Sequence, residues 1–252
     1  MTKRLVIANW KMNPESLSEA KALFFKVNTH AKKLRRTTVV ICPPALYISA
    51  LSAKKSKIFL GAQNVFWKVN GAHTGEIGAS QLREAGAKFV IIGHSERRAL
   101  GETDGDVSRK ARAALSFSLV PIICVGESER DSHGAFLGAL ERQIRGSLSG
   151  IPKANFSEII LAYEPLWAIG KGVSYAMSAR TLHETVIFLR KVLTSICGRN
   201  IADRVAILYG GSVDPKNAEE LVADGNVRGF LVGGASLVAK KFTEILDIVD
   251  DL

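Results

Sequence analysis

Lys11, His94 and Glu164 are three residues of this sequence whose functions belong together: a cation, an imidazole and a carboxylate. A carboxylate can take a proton from carbon, and an imidazole can pass protons between oxygens. An ammonium can hold the negative charge that develops meanwhile. The set contains no serine or cysteine activated by a paired base. Taken singly, each has an ordinary reading: a surface lysine, a hydrogen-bonded core histidine, a capping or salt-bridged glutamate. Their positions argue for chemistry. Each follows a short apolar run, Leu5–Asn9, Phe89–Gly93 and Ile159–Tyr163 respectively. Glu164 is followed by Pro165 and Trp167, which does not suit a solvated helix face.

Two glycine pairs close the last such runs, Gly210-Gly211-Ser212 and Gly233-Gly234. Glycine lets backbone come close to a ligand, and free N–H groups at a helix start attract phosphate. There is no G-x-x-x-x-G-K-[ST], G-x-G-x-x-G or G-x-S-x-G, and His183-Glu184 lacks the second histidine of H-E-x-x-H. The histidines and cysteines show no metal-ligand spacing, so neither a metal nor a cofactor is expected.

The elements that must position these residues are legible as alternating patterns. Strands are expected at Leu5–Asn9, Thr38–Cys42, Ile58–Ala62, Phe89–Gly93, Val120–Val125, Ile159–Tyr163, Val205–Tyr209 and Gly229–Val232. All are near-continuous apolar runs, as in parallel strands buried on both faces. Between them lie helical patterns, including Ser16–Arg35, Val107–Phe117, Leu137–Leu148, Ala179–Cys197, Asn217–Ala223 and Phe242–Val249. Eight such units in 252 residues place the chain in the α/β class, as a (β/α)8 barrel of TIM type forming one domain over residues 1–252. An open doubly wound sheet is the alternative. In a barrel of this kind the site is built from the loops after each strand's C-terminal end, and phosphate is often held after strands seven and eight. Lys11, His94, Glu164 and both glycine pairs fall there.

The composition, 47% hydrophobic and 23% charged, suits a large core and argues against disorder. No run is long enough to span a membrane, and the N-terminal apolar stretch is too short for a signal peptide. Three scattered cysteines, Cys42, Cys124 and Cys197, suggest reduced thiols in a cytoplasmic protein. The net charge of +10 is unusual. Its densest clusters, Lys32-Lys33 with Arg35-Arg36 and Lys54-Lys55 with Lys57, sit at the ends of amphipathic stretches and read as solvated helix faces. A nucleic-acid-binding protein would need a clustered basic face with groove- or stack-forming elements, and the sequence shows none.

Several strings carry a family resemblance. Asn9-Trp10-Lys11-Met12-Asn13, Ala62-Gln63-Asn64, Thr74-Gly75-Glu76, Ile92–Arg98, Tyr163-Glu164-Pro165, Trp167–Gly170, Tyr209–Val213 and Val232–Leu237 resemble those of the triosephosphate isomerases, in order and at matching spacing. The resemblance implies interconversion of dihydroxyacetone phosphate and D-glyceraldehyde 3-phosphate through an enediolate, in glycolysis and gluconeogenesis. It implies Glu164 as base and His94 as a neutral imidazole, the family being a well-described case of that pairing. It further implies Lys11 as the substrate-holding cation with Asn9 beside it, and Glu96 as the lysine's ion-pair partner. Gly170, Ser212, Gly233 and Gly234 would hold phosphate through backbone N–H groups. A lid beginning at Pro165 would exclude water. The resemblance also implies a homodimer formed through the loop 64–78, with Thr74 entering the neighbouring subunit.

The sequence departs from the family where His73 replaces a usual aromatic, and where Lys171-Gly172-Val173 replaces Thr-Gly-Lys after Gly170. The rival enzyme is another sugar-phosphate isomerase on a phosphate-binding barrel, which would more naturally use paired carboxylates.

Overall fold

Eight parallel strands close into a barrel in the computed structural model of the protein, which describes residues 3–52, 56–131, 133–168 and 176–252. They are β1 (Arg4–Asn9), β2 (Thr37–Cys42), β3 (Ile58–Ala62), β4 (Ala87–Ile92), β5 (Val120–Val125), β6 (Ile160–Tyr163), β7 (Ala206–Tyr209) and β8 (Gly229–Val232). Each pairs with its successor, and β8 returns to β1 with Leu5 opposite Gly229 and Ala8 opposite Val232. This is the expected closed barrel and not the open sheet. All eight expected strands form, with ends shifted by at most two residues.

Strand alternation sorts the apolar side chains into two cores. Leu5 and Ile7, Val40 and Cys42, Phe89 and Ile91, Ile122 and Cys124, Ile160 and Ala162, Ala206 and Leu208, and Leu231 fill the barrel interior. The residues between them, such as Val6, Ile41, Leu161, Ile207 and Phe230, face outward under the helices. Because inward positions recur every second residue, continuing the pattern beyond the apolar layers points Asn9, Glu164, Gly210 and Gly233 toward the mouth. The fold thus selects these positions by parity.

Ten α-helices lie among the described residues: α1 (Leu17–Ala31), α2 (Ile48–Leu51), α3 (Ala79–Glu84), α4 (Ser95–Ala99), α5 (Asp104–Ser116), α6 (Ala135–Ser147), α7 (Ala179–Cys197), α8 (Arg199–Ala202), α9 (Pro215–Asp224) and α10 (Ala239–Asp251). Helix α1 buries Ala20, Phe24, Val27 and Ala31, a stripe with helical spacing, and starts where the Ser16 hydroxyl accepts from the Glu19 N–H. Helix α5 opens with a capping box in which Thr103 and Asp106 satisfy each other's backbone N–H. In α10 the buried stripe is Phe242, Ile245, Leu246 and Val249.

Helix α1 ends four residues before the expected Arg35. The Asp250 carboxylate accepts from the backbone N–H groups of Arg35, Arg36 and Thr37, which draws the chain out of the helix and into β2. Arg35 and Arg36 therefore do not lie on a solvated helix face. They line a cavity at the N-terminal end of the barrel together with arginines from distant segments. Lys54 and Lys55 lie outside the described residues.

All three cysteines are buried and unpaired. Among the described residues no helix is long and apolar enough to cross a membrane.

Candidate active site

At the end of β1, Lys11 has a left-handed backbone, φ 54°, uncommon for a residue other than glycine. Two hydrogen bonds hold it there. Its N–H donates to the Asn9 Oδ1 at 3.1 Å, and the Gln63 Nε2 donates to its carbonyl at 2.8 Å. Gln63 also donates to the Cys42 carbonyl at 2.9 Å, which ties the ends of β1, β2 and β3 together. The side chain so aimed puts its Nζ 2.5 Å from the Glu96 Oε1.

His94 follows β4 through Gly93, whose φ is 71°. It caps α4, and its Nδ1 accepts from the Glu96 N–H at 3.2 Å. A ring nitrogen that accepts carries no proton, so the neutral ring holds its hydrogen on Nε2. That tautomer is assigned from the partner, as is usual for histidine. The Nε2 atom lies 3.3 Å from the Glu164 Oε1.

Glu164 is 2% exposed. Its N–H donates to the Val125 carbonyl at 2.8 Å, extending the β5–β6 ladder past the strand end. Its Oε2 accepts from the Ser95 N–H at 3.1 Å. A carboxylate has about four acceptor sites, so one such bond leaves lone pairs for a substrate. Space for this side chain is made by Gly210: a Cβ there would stand 2.9 Å from the Glu164 Cγ. On the neighbouring strand, burial pushes the Cys124 thiol well above its ordinary range, and the adjacent Glu164 adds to the rise. The thiol stays protonated and is not a nucleophile.

Asn9, Lys11, His94 and Glu164 line one cavity of about 310 Å³, together with the loops after β7 and β8. Those loops bring Ser212, Gly233 and Gly234, whose backbone N–H groups find no acceptor among the described residues. Gly234 opens a short 3-10 turn, Gly234–Leu237, so unmatched N–H groups at its start are intrinsic to the geometry. Free donors in a concave site suit phosphate. Lys241 from α10 also lines the cavity and pairs with Asp214 at 2.9 Å. The Lys241 ammonium holds the Asp214 carboxyl below its usual range, outweighing the opposing effect of burial.

A buried acid anchors the segment after Glu164. Glu127 accepts through one oxygen from the Tyr163 hydroxyl at 2.7 Å and from the Trp167 Nε1 at 2.9 Å. Burial raises the Tyr163 phenol far above its ordinary value, and the Glu127 charge raises it further, so Tyr163 remains a donor. The turn Leu166–Ala168 is joined to the loop after β7 by the Ser212 hydroxyl, which donates to the Ala168 carbonyl at 2.8 Å. Gly170, expected to contribute a phosphate-binding N–H, lies outside the described residues, as does the unusual Lys171-Gly172-Val173.

The structure therefore brings Asn9, Lys11, His94, Glu164, Ser212, Gly233 and Gly234 to one cavity. Glu96 is not among its lining residues and meets it through two that are, its carboxylate on Lys11 and its backbone N–H on His94. Sequence reasoning missed Lys241, which sits on a helix outside any motif. It also assigned no part to the Ser95 N–H that holds Glu164, although Ser95 lies in a quoted string. In the loop 64–78, the His73 ring packs on Phe66 with centroids 4.6 Å apart, so the imidazole occupies an aromatic's place. No cluster of metal-ligating side chains occurs among the described residues.

Comparison with known proteins bears on these features. The family described as Triosephosphate isomerase matches residues 4–249. The triosephosphate isomerase of Rhodopirellula baltica is 43% identical over 252 residues, covering 98% of each chain. That of Dictyoglomus thermophilum is 36% identical over 250 residues, covering 98% of this chain and 99% of the relative. A crystal structure of triosephosphate isomerase from Bartonella henselae superposes with a TM-score of 0.83 at 39% identity, covering 98% of each chain.

Proposed function

The chain belongs to the triosephosphate isomerase family, and on that premise we propose that Glu164, His94 and Lys11 carry out its reaction. The reaction interconverts dihydroxyacetone phosphate and D-glyceraldehyde 3-phosphate, an aldose–ketose isomerisation of glycolysis. The Glu164 carboxylate takes a proton from the carbon next to the carbonyl, and the electron pair moves onto the carbonyl oxygen. The resulting enediolate is protonated on the adjacent carbon by the same carboxyl. His94 presents its Nε2–H to the substrate oxygens and moves the proton between them. Lys11 offsets the developing negative charge, with Asn9 beside it, and Glu96 positions Lys11. Ser212, Gly233, Gly234 and Gly170 hold the phosphate, so that binding remote from the reacting carbons supports the chemistry.

The observation that carries this assignment is the orientation of His94. The Glu96 N–H faces Nδ1 at 3.2 Å, which leaves Nε2 to donate on the side of the cavity where Glu164 lies, 3.3 Å from its Oε1. No metal or organic cofactor is needed for proton transfer through an enediolate. A coupled assay with glyceraldehyde 3-phosphate tests the reading. Turnover by the parent chain with loss in His94→Gln supports it, and a fully active His94→Gln removes the imidazole from the mechanism.

Residues 1–252 act in this proposal as one catalytic domain in the cytoplasm, and the chain works as a homodimer through the loop 64–78. Residues 71–77 of that loop are exposed, and Met12, 91% exposed, stands beside Lys11 in the sequence. The Arg97 Nε is buried with no acceptor among the described residues. In the dimer Thr74 enters a second copy near its Lys11, and Glu76 meets Arg97 across the interface. An interface of this kind buries well over ~1,200 Å². Light scattering at micromolar concentration should give twice the chain mass; a fully active monomer refutes the dimer. Neither a nucleic acid nor a membrane is a partner in this reading.

A further inference from the structure

The N-terminal end of the barrel, opposite the catalytic mouth, carries a second concentration of charge. A cavity of about 780 Å³ opens there, lined by Arg4, Arg35, Arg36, Arg190, Arg204 and Arg228. Among the described residues Asp203 is the one acidic side chain in its lining, which Lys3 and Leu252 also join. Two of the arginines are already engaged. The Arg4 Nη1 donates to the Val222 and Val227 carbonyls at 3.2 Å each, and the Arg190 Nη1 donates to the Ala202 carbonyl and, at 2.8 Å, to that of Val205. These bonds tie the approaches to β7 and β8 onto the barrel floor.

The side chains of Arg35, Arg36, Arg204 and Arg228 have no hydrogen-bond or ion-pair partner among the described residues; Asp250 meets only the backbone of Arg35 and Arg36. Among the described residues, arginines without a partner also occur singly elsewhere, as at Arg112 and Arg142, but only here do four of them line one cavity. Arg109, Arg145, Arg180 and Arg199, exposed on helices, each pair with an acid three or four residues away. Burial pulls the Arg190 guanidinium below its ordinary range; Asp203 opposes the fall, and Arg228 contributes to it. Like charge is therefore crowded around a concavity with little of the opposite sign to relieve it.

We propose that this cavity binds a multiply phosphorylated small molecule, whose phosphoryl oxygens are taken by Arg35, Arg36, Arg204 and Arg228. The guanidinium fork matches phosphate oxygens two at a time, and arginine is the usual residue for such recognition. Several unmatched cations call for several negative charges on the ligand, more than one phosphate monoester supplies. The volume falls within the ~300–1,000 Å³ of small-molecule sites. Single-stranded nucleic acid would need a track of stacking aromatics, and among the described residues the adjoining floor of the barrel offers Phe89 alone. Catalysis is not touched by this site, since Arg4 opens the strand that Asn9 closes.

The test is calorimetric titration of the full-length chain with inorganic tripolyphosphate at low ionic strength, the catalytic mouth being filled with 2-phosphoglycolate. One tripolyphosphate per chain should bind. Two independent variants, Arg204→Gln/Arg228→Gln and Arg35→Gln/Arg36→Gln, should each weaken it by ~10-fold or more, because each removes two charge-assisted contacts. Isomerase activity should stay at the parent value in both, which also certifies that they fold. No binding up to about 1 mM, or unchanged affinity in both variants, overturns the proposal. Tighter binding of single-stranded RNA than of tripolyphosphate, lost in the same variants, also overturns it and gives the face to nucleic acid.

Discussion

Shortening Glu164 by one carbon tests the placement of the base more sharply than deleting it. In Glu164→Asp the backbone cannot advance to compensate. Its N–H is held by the Val125 carbonyl at 2.8 Å, and the residue is 2% exposed. The carboxylate must therefore retreat by about one C–C bond, ~1.5 Å. A misplacement of ~1 Å can cost on the order of 10²-fold, so kcat should fall by 10²-fold or somewhat more, a barrier rise of about 3 kcal/mol. The proposed phosphate donors, Ser212, Gly233 and Gly234, lie in the loops after β7 and β8 and are untouched. KM and the affinity for 2-phosphoglycolate should accordingly change little. Steady-state rates in both directions, with inhibitor titration, separate the two effects. A kcat within about threefold of the parent would refute the argument, as would a loss confined to phosphate binding.

Gly210→Ala would bring a methyl group 2.9 Å from the Glu164 Cγ, well inside ordinary carbon contact at ~3.5–4.0 Å. The carboxylate should be displaced by several tenths of an ångström and kcat lowered ~10-fold or more, with the fold intact by circular dichroism. An unaffected kcat would show that the site relaxes freely. Glu96→Gln removes the charge beside Lys11 from an exposed pair, so melting should shift by less than about 1 kcal/mol equivalent. Activity should fall more than stability does; parallel losses would make Glu96 merely structural. Asp250 is raised by burial but lowered more by the Arg35, Arg36 and Thr37 N–H groups, so its folded pKa lies below the ordinary carboxylate value. Its contribution is present above ~pH 4 and lost as pH falls through the folded pKa. Asp250→Ala should melt about 3–8 °C lower at pH 7, and the gap should close below ~pH 4. A gap independent of pH would deny the role of the charge.

The barrel was legible in the sequence because parallel strands buried on both faces leave short apolar runs, and eight of them alternating with helical patterns fill the chain. Helices were less so. Ser95–Ala99 and Ala79–Glu84 are short and largely polar, and their form is set by caps and packing. The end of α1 was misplaced because Asp250, more than two hundred residues away in sequence, decides it. The mouth could be named from strand ends, since each key residue follows its own strand. Lys241 carried no such signal. Nor did the arginine cavity, whose members come from several segments that only barrel closure brings together. Judged along the chain they look scattered; judged in space they are a cluster.

Lys11 leaves a last consequence in its left-handed backbone. A side-chain-bearing residue in that region costs about 1–2 kcal/mol, and glycine would not incur it. The Gln63 and Asn9 hydrogen bonds keep the chain there against that tendency. The position is thus a compromise in which durability is surrendered for reach. A chain selected only for resistance to heat would drift toward glycine at this point, becoming sturdier while giving up the cation that the proposed reaction needs.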